Sequence, residues 1–79
     1  KASAQSGMME ILEPLLTEEE KSVYRRGRNA HYATMAKHAT MADYRRATGF
    51  EALMGYLYLK EDFSRILELV HAGLEKEEI

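Results

Sequence analysis

The apolar residues of this chain recur at intervals of three and four positions, and they never alternate with polar residues over a length that predicts a strand. The pattern therefore predicts an all-α domain of about four helices. The first helix extends from about Ala2 to Glu13 and is closed by Pro14, because proline lacks the N–H that continues a helix. Its apolar side is expected to hold Met8, Ile11, Leu12 and Leu15.

Two capping signals mark the starts of the second and third helices. The segment Thr17 to Glu20 reads Thr-Glu-Glu-Glu, a capping box that opens a helix extending to about Asn29. Thr40, with Asp43 three residues later, opens the longest helix, predicted from about Met41 to Lys60.

The last two helices are expected to pack against each other through their apolar stripes. The predicted stripe of the third helix is Ala47, Phe50, Leu53, Met54 and Leu57. A final helix from about Asp62 to Glu75 is predicted to contribute Phe63, Ile66, Leu67, Val70 and Leu74. The segment Ala30 to Ala39 has no clear period and is predicted to be a surface loop.

The length and composition indicate one small domain. A chain of 79 residues, 46 % of them hydrophobic, buries a modest fraction of its surface, so oligomerisation would help its stability. No apolar run reaches the roughly 18 residues of a membrane span, so no membrane association is expected. Cysteine is absent, which excludes disulfides and thiolate metal sites. Because the chain begins with Lys rather than Met, we expect a piece of a longer or processed product.

The charges are unevenly distributed. The formal net charge is −2, yet residues 25–46 hold six Lys and Arg side chains and one acidic residue, a local balance of +5. Acidic residues collect on both sides of this stretch. The distribution favours a surface that faces a polyanion, with phosphate the best candidate. The alternative is a solvated face with ordinary helix ion pairs.

Glu51 is a single carboxylate within an otherwise apolar helical segment. On a helix it falls about 100° from the main apolar stripe, on a face shared with Tyr44, Thr48, Gly55 and Tyr58. Gly55 leaves space there for a ligand or another helix. Two interpretations stay open from the residues alone: a ligand of Mg²⁺, or a partner of an arginine on a neighbouring helix.

Three segments resemble the ribonuclease III family. Phe50 to Leu59, Phe-Glu-Ala-Leu-Met-Gly-Tyr-Leu-Tyr-Leu, resembles the segment with the catalytic Glu of the domain's second half. The segments Arg26 to Ala30 and Tyr44 to Glu51 are typical of the small bacterial branch called Mini-ribonuclease III, which lacks a separate double-stranded-RNA-binding domain. The resemblance covers the chain from about Ser3 to Leu69.

The resemblance implies that residues 1–79 are the C-terminal half of one ribonuclease III-like catalytic domain, an incomplete helical bundle. Glu51 is then implied to be a catalytic ligand of Mg²⁺ or Mn²⁺. The branch implies a homodimeric, cytoplasmic endoribonuclease that cleaves double-stranded RNA in the maturation of ribosomal RNA precursors. Contacts with RNA are implied for Arg25, Arg26, Arg28, Asn29, Lys37, Arg45 and Arg46, of which Arg26, Arg45 and Arg46 are equally compatible with structural ion pairs.

The chain departs from the family pattern at two points. Thr48 stands where full-length ribonuclease III enzymes have an Asp, and the Leu-Gly-Asp-Ala-like segment with the other acidic ligands is absent between Lys1 and Ile79. One carboxylate does not hold a catalytic metal firmly, so the isolated chain is predicted to be inactive. The alternatives are a non-catalytic RNA- or ribosome-binding module derived from this fold, and a helical protein-interaction domain whose basic residues are incidental.

Overall fold

The computed structural model of the protein describes residues 2–30 and 40–77, which form four α-helices and one short 3-10 helix. The α-helices are α1 (Ala2–Leu12), α2 (Glu18–Asn29), α3 (Met41–Leu59) and α4 (Phe63–Glu77), and the 3-10 helix spans Glu13–Leu15. No strand occurs in these two ranges, so the predicted all-α class is confirmed. The loop predicted for Ala30 to Ala39 lies outside the described residues, except for Ala30.

Local sequence signals set the helix starts. In the capping box, the Thr17 N–H donates to Glu20 Oε1 at 2.9 Å and the Glu20 N–H donates to Thr17 Oγ1 at 3.1 Å. At the start of α3, the Asp43 N–H donates to Thr40 Oγ1 at 3.0 Å. Both predicted caps are therefore confirmed. Pro14 lies at the start of the 3-10 helix that separates α1 from α2.

The hydrophobic core lies where α1, α3 and α4 meet, with Tyr24 of α2 inserted into it. Its buried members are Met9, Leu12, Leu16, Tyr24, Leu53, Leu57 and Leu69. The predicted stripe of α3 is confirmed in part, because Leu53, Leu57 and Ala47 are buried whereas Phe50 and Met54 are half-buried. The prediction that Leu15 lies on the apolar side of the first helix was wrong. The 3-10 turn directs Leu16 inward instead and leaves Leu15 49 % exposed.

The predicted stripe of α4 was also wrong in part. Leu69 is buried and Ile66 is half-buried, but Phe63, Leu67 and Leu74 are exposed. The apolar arc of α4 is wider than the surface that α1 and α3 offer it, so only one edge of that arc is covered. Gly73 lies on the covered edge, where an added Cβ would meet Met8 Cγ at 2.7 Å.

A buried ion pair fixes the position of α4. The Arg65 guanidinium donates through Nε to Glu20 Oε2 and through Nη2 to Glu20 Oε1, each at 2.8 Å. It also donates to Leu15 O and Glu68 Oε1, each at 2.9 Å. The hydrogen bonds from Arg65 hold the pKa of Glu20 below its ordinary value, against the opposing effect of burial. This clamp joins α4 to the start of α2.

Candidate functional site

One face of α3 is open along much of its length and carries Glu51. Glu51 and Gly55 are exposed, and Tyr58 is 64 % exposed. One turn earlier, Thr48 Oγ1 donates to Tyr44 O at 2.8 Å, which ties the Thr48 side chain to the helix backbone. This exposed face is separate from the buried side of α3 that holds Leu53 and Leu57. Glu51 is therefore hydrated, and its charge requires no buried partner.

The Glu51 carboxylate has room for a ligand. Among the residues that the structure describes, it makes no ion pair and no hydrogen bond, so the alternative of an arginine partner finds no support there. One turn along, a Cβ added to Gly55 would have no atom within 4 Å. A free carboxylate beside an open space is the arrangement that a hydrated divalent cation needs from one of its ligands.

The end of α2 carries the first group of predicted RNA-binding residues. Arg25, Arg26 and Asn29 are exposed and Arg28 is half-buried. Arg28 donates through Nε to Asn29 Oδ1 at 3.4 Å, and its guanidinium lies 5.7 Å from the centre of the Tyr24 ring. Burial raises the pKa of Tyr24, so its hydroxyl stays neutral beneath this cation.

The two adjacent arginines of α3 have different surroundings. Arg46 Nη1 donates to Glu10 Oε1 at 2.9 Å and to the buried Ser6 Oγ at 3.3 Å, so it links α3 to α1. Arg45 is exposed and forms no ion pair with any residue of the described ranges. The structure thus places Arg46 in a structural pair and leaves Arg45 available. Lys37, the remaining predicted contact, lies outside the described residues.

A close crossing of α2 and α3 brings the basic residues near the turn that holds Glu51. A Cβ added to Gly27 would meet Ala52 Cβ at 2.5 Å and Gly49 Cα at 3.1 Å. A Cβ added to Gly49 would meet the Tyr24 ring at 2.6 Å. The basic end of α2 therefore lies against Thr48 to Ala52. Gly27 serves this packing.

The residues of this site do not by themselves form a complete metal centre. Within residues 2–30 and 40–77, no group of three or more His, Asp or Glu side chains is arranged to hold a metal ion. Glu51 has the chemistry of a single metal ligand. Within the same ranges, no helix is both long enough and apolar enough to cross a membrane.

Comparison with known proteins identifies the family. The model of the Ribonuclease III domain matches residues 1–62, which is most of the chain. The chain therefore belongs to the ribonuclease III family, and the expectation drawn from its motifs is confirmed. The match includes the Glu51 face of α3 and the basic end of α2.

Within this family the chain is similar to bacterial proteins named Mini-ribonuclease 3. It is 47 % identical to the Enterococcus faecalis protein over 77 residues, which is 95 % of this chain and 58 % of that protein. It is 52 % identical to the Brevibacillus brevis protein over 69 residues, or 87 % and 52 % of the two. It is 44 % identical to the Streptococcus pneumoniae protein over 79 residues, or 98 % and 62 %. The chain thus spans between about half and three-fifths of the length of these relatives.

Proposed function

We propose that this chain is the C-terminal half of a single ribonuclease III catalytic domain, and that the complete protein is a divalent-metal-dependent endoribonuclease acting on double-stranded RNA. The observation that carries the proposal is the exposed, unpaired Glu51 carboxylate on the open face of α3, beside the basic end of α2. The name ribonuclease, given to the relatives that match along most of this chain, supports the same activity.

In this proposal Glu51 supplies one ligand of Mg²⁺ or Mn²⁺. Both ions prefer carboxylate oxygens and retain several waters, which an exposed carboxylate next to Gly55 accommodates. When bound, such an ion lowers the pKa of a coordinated water and stabilises the negative charge that develops during phosphodiester hydrolysis. Because the described residues bring no three or more His, Asp or Glu side chains together to hold this ion, the isolated chain is expected to be inactive.

The role proposed for the basic residues is to hold the RNA backbone. Arg25, Arg26, Arg28 and Arg45 reach solvent and present donors that suit phosphate oxygens, while Asn29 can also contact a 2′-hydroxyl. We call these five residues the basic strip. Double-stranded RNA is recognised mainly by shape, through phosphates and 2′-hydroxyls, so the basic strip is sufficient to bind it. Lys37 joins the strip on sequence grounds alone, and Arg46 contributes mainly by holding Glu10.

The biological setting is proposed from the resemblance to the Mini branch. We expect a homodimer in the cytoplasm that processes ribosomal RNA precursors. Dimerisation would add buried surface to a chain whose own core is small.

The test requires a complete domain. We obtain it as a fusion protein, which we call the completed protein. In this fusion, residues 1–79 replace the matching 62 % of the Streptococcus pneumoniae Mini-ribonuclease 3. We expect the completed protein to cleave double-stranded RNA with Mg²⁺, the isolated chain not to cleave it, and Glu51→Gln to abolish cleavage. Glu13→Gln is the matched control, because Glu13 is also exposed and forms no ion pair among the described residues, but lies in the 3-10 helix.

The outcomes separate the candidate functions. Cleavage by the isolated chain that Glu51→Gln removes would contradict the proposed half-domain. Binding of RNA without cleavage by the completed protein would favour the non-catalytic RNA-binding module. Absence of RNA binding at low salt would favour a protein-interaction domain.

A second experiment tests the basic strip with two neighbouring arginines. Arg45→Gln in the completed protein should reduce the slope of log affinity for RNA against log salt by about one, with no loss of thermal stability. Arg46→Gln should lower the stability, because it leaves the buried Ser6 hydroxyl without the hydrogen bond from Arg46. An unchanged slope for Arg45→Gln would place the RNA elsewhere on the protein.

A further inference from the structure

The outer side of α4 presents an apolar stripe that the described residues leave largely exposed. Phe63, Leu67 and Leu74 are 50 %, 70 % and 50 % exposed, and Val70 between them is half-buried. Their spacing places them on one side of the helix. Tyr58, at the end of α3, continues the stripe, since its ring contacts Phe63 edge to face with ring centres 5.7 Å apart. We call these five residues the α4 face.

A groove deepens one end of the α4 face. Val70 and Leu74 line it from α4, Phe50 from α3, and Ala4, Gln5 and Met8 from α1, and its volume is about 270 Å³. The lining is almost entirely apolar. Exposed apolar residues that are contiguous, rather than scattered singly, are typical of interaction sites.

The folded structure fixes this surface in place. On the opposite side of α4, Leu69 is buried in the core. The Arg65 guanidinium there donates hydrogen bonds to the Glu20 carboxylate and the Leu15 carbonyl, which form the clamp described above. The helix therefore cannot rotate to bury Phe63 or Leu67 without breaking that clamp. The α4 face is a stable feature that is presented to a partner.

We propose that the α4 face is the docking surface for the part of the ribonuclease III domain that this chain lacks, supplied by the same polypeptide. The proposal rests on the proposed function, because it takes the chain to be half of one domain. The chain matches at most 62 % of the three relatives compared above, so a large segment is available to cover the surface.

The position of the α4 face favours this occupant over a second copy of the chain. Through Tyr58 it borders the open side of α3, where Glu51 lies two helical turns before Tyr58. A segment seated on the α4 face would extend toward Glu51, which belongs to no group of three or more metal-ligating side chains in the described ranges. A symmetric dimer across the same face would cover the apolar residues and supply only a second, identical carboxylate.

Thiol accessibility tests the proposal. The chain has no cysteine, so Leu67→Cys introduces a single thiol at the centre of the α4 face. Leu15→Cys is the matched control, because Leu15 is also an exposed leucine and lies near Arg65 on the clamped side. Both variants are made in the isolated chain and in the completed protein, with any other cysteines replaced by serine, and labelled with a maleimide. As a second host, the Streptococcus pneumoniae protein receives a cysteine at the position that aligns with Leu67.

We expect both thiols to react at similar rates in the isolated chain. In the completed protein, labelling of Leu67→Cys should slow at least about tenfold, which corresponds to an opening free energy of about 1.4 kcal/mol, while Leu15→Cys is unchanged. Equal rates for Leu67→Cys in both proteins and in the second host would overturn the proposal. Protection that appears in the isolated chain and grows with its concentration would also overturn it, in favour of a second copy.

The readout separates this proposal from the proposed function. Labelling requires neither RNA nor metal. A protected Leu67→Cys thiol in a completed protein that does not cleave RNA would support the docking surface and reject the nuclease activity. An exposed Leu67→Cys thiol in a completed protein that cleaves RNA would support the nuclease activity and reject the docking surface.

Discussion

Replacing Glu20 by Gln tests whether the buried ion pair determines the stability of this fold. Glu20 is 4 % exposed, and its carboxylate accepts three hydrogen bonds, two from Arg65 and one from the Thr17 N–H. Gln has nearly the same shape and can still complete a capping box at this position. It offers one acceptor oxygen where Glu offers two, so an amide N–H₂ group would face the Arg65 guanidinium.

The expected loss is large compared with the total stability. Removing one partner of a buried ion pair costs about 3–5 kcal/mol, and because the Arg65 side chain is 20 % exposed we expect about 2–3 kcal/mol. A domain of this length has roughly 4–12 kcal/mol of stability in total. Glu20→Gln is therefore expected to remove a substantial share of it.

The assay is urea unfolding followed by far-ultraviolet circular dichroism, at neutral pH and in acid. The pKa of Glu20 is lowered from 4.5 in the folded state, so the stability it contributes is complete above 4.5 and is lost as the pH falls through the lowered value. The difference between the parent and Glu20→Gln should accordingly close in acid. Glu19→Gln, which removes an exposed ion pair with Lys60, is the control and should leave the unfolding midpoint nearly unchanged. Equal stability of the parent and Glu20→Gln at neutral pH would refute the reasoning.

Two further substitutions test the backbone and the helix crossing by the same urea assay. Glu61 follows α3 with a φ of 61°, a conformation that glycine adopts without strain, so Glu61→Gly should stabilise the chain by up to about 1 kcal/mol and Glu61→Ala should not. Gly49→Ala should destabilise it by about 1–3 kcal/mol, because the new Cβ would lie 2.6 Å from the Tyr24 ring. Gly55→Ala has open space and should instead gain roughly 0.5–1 kcal/mol in the isolated chain. A stabilising Gly49→Ala, or a destabilising Gly55→Ala, would contradict these packing distances.

The elements that sequence analysis predicted well depend on short-range interactions. The caps at Thr17 and Thr40 each join residues three positions apart, so the residue types determine them. Helical spacing likewise places Leu53 and Leu57 on one side of α3. The four helices and their approximate bounds follow from these local rules.

The side of α4 that is buried could not be predicted in the same way. Its apolar arc includes Phe63, Leu67 and Leu69, and spacing alone does not decide which of them meets the core. The clamp between Arg65 and Glu20, which are 45 residues apart in sequence, selects Leu69. The local signal for Glu20 was its place in the capping box, which gives no indication of a distant arginine.

The candidate site also has features that sequence analysis predicted and features that depend on the fold. The motif around Glu51 and the arginines of α2 were evident from residue types and spacing, and the family match confirms the resemblance that they suggested. The different surroundings of Arg45 and Arg46 became apparent only in the folded chain, where Arg46 meets Glu10 on another helix. The placement of the basic end of α2 beside the Glu51 turn likewise depends on the crossing at Gly27 and Gly49.

The helical class, the caps and the face of α3 on which Glu51 lies follow from the amino-acid sequence, because each depends on residues within two turns of one another. Three further properties follow from the packing of the helices: Glu51 is exposed and unpaired among the described residues, Arg46 is held by Glu10, and the outer side of α4 is largely exposed. These properties depend on which helices approach one another and how closely. That approach is set by glycines at the crossing and by one buried ion pair, whose partners are distant along the chain.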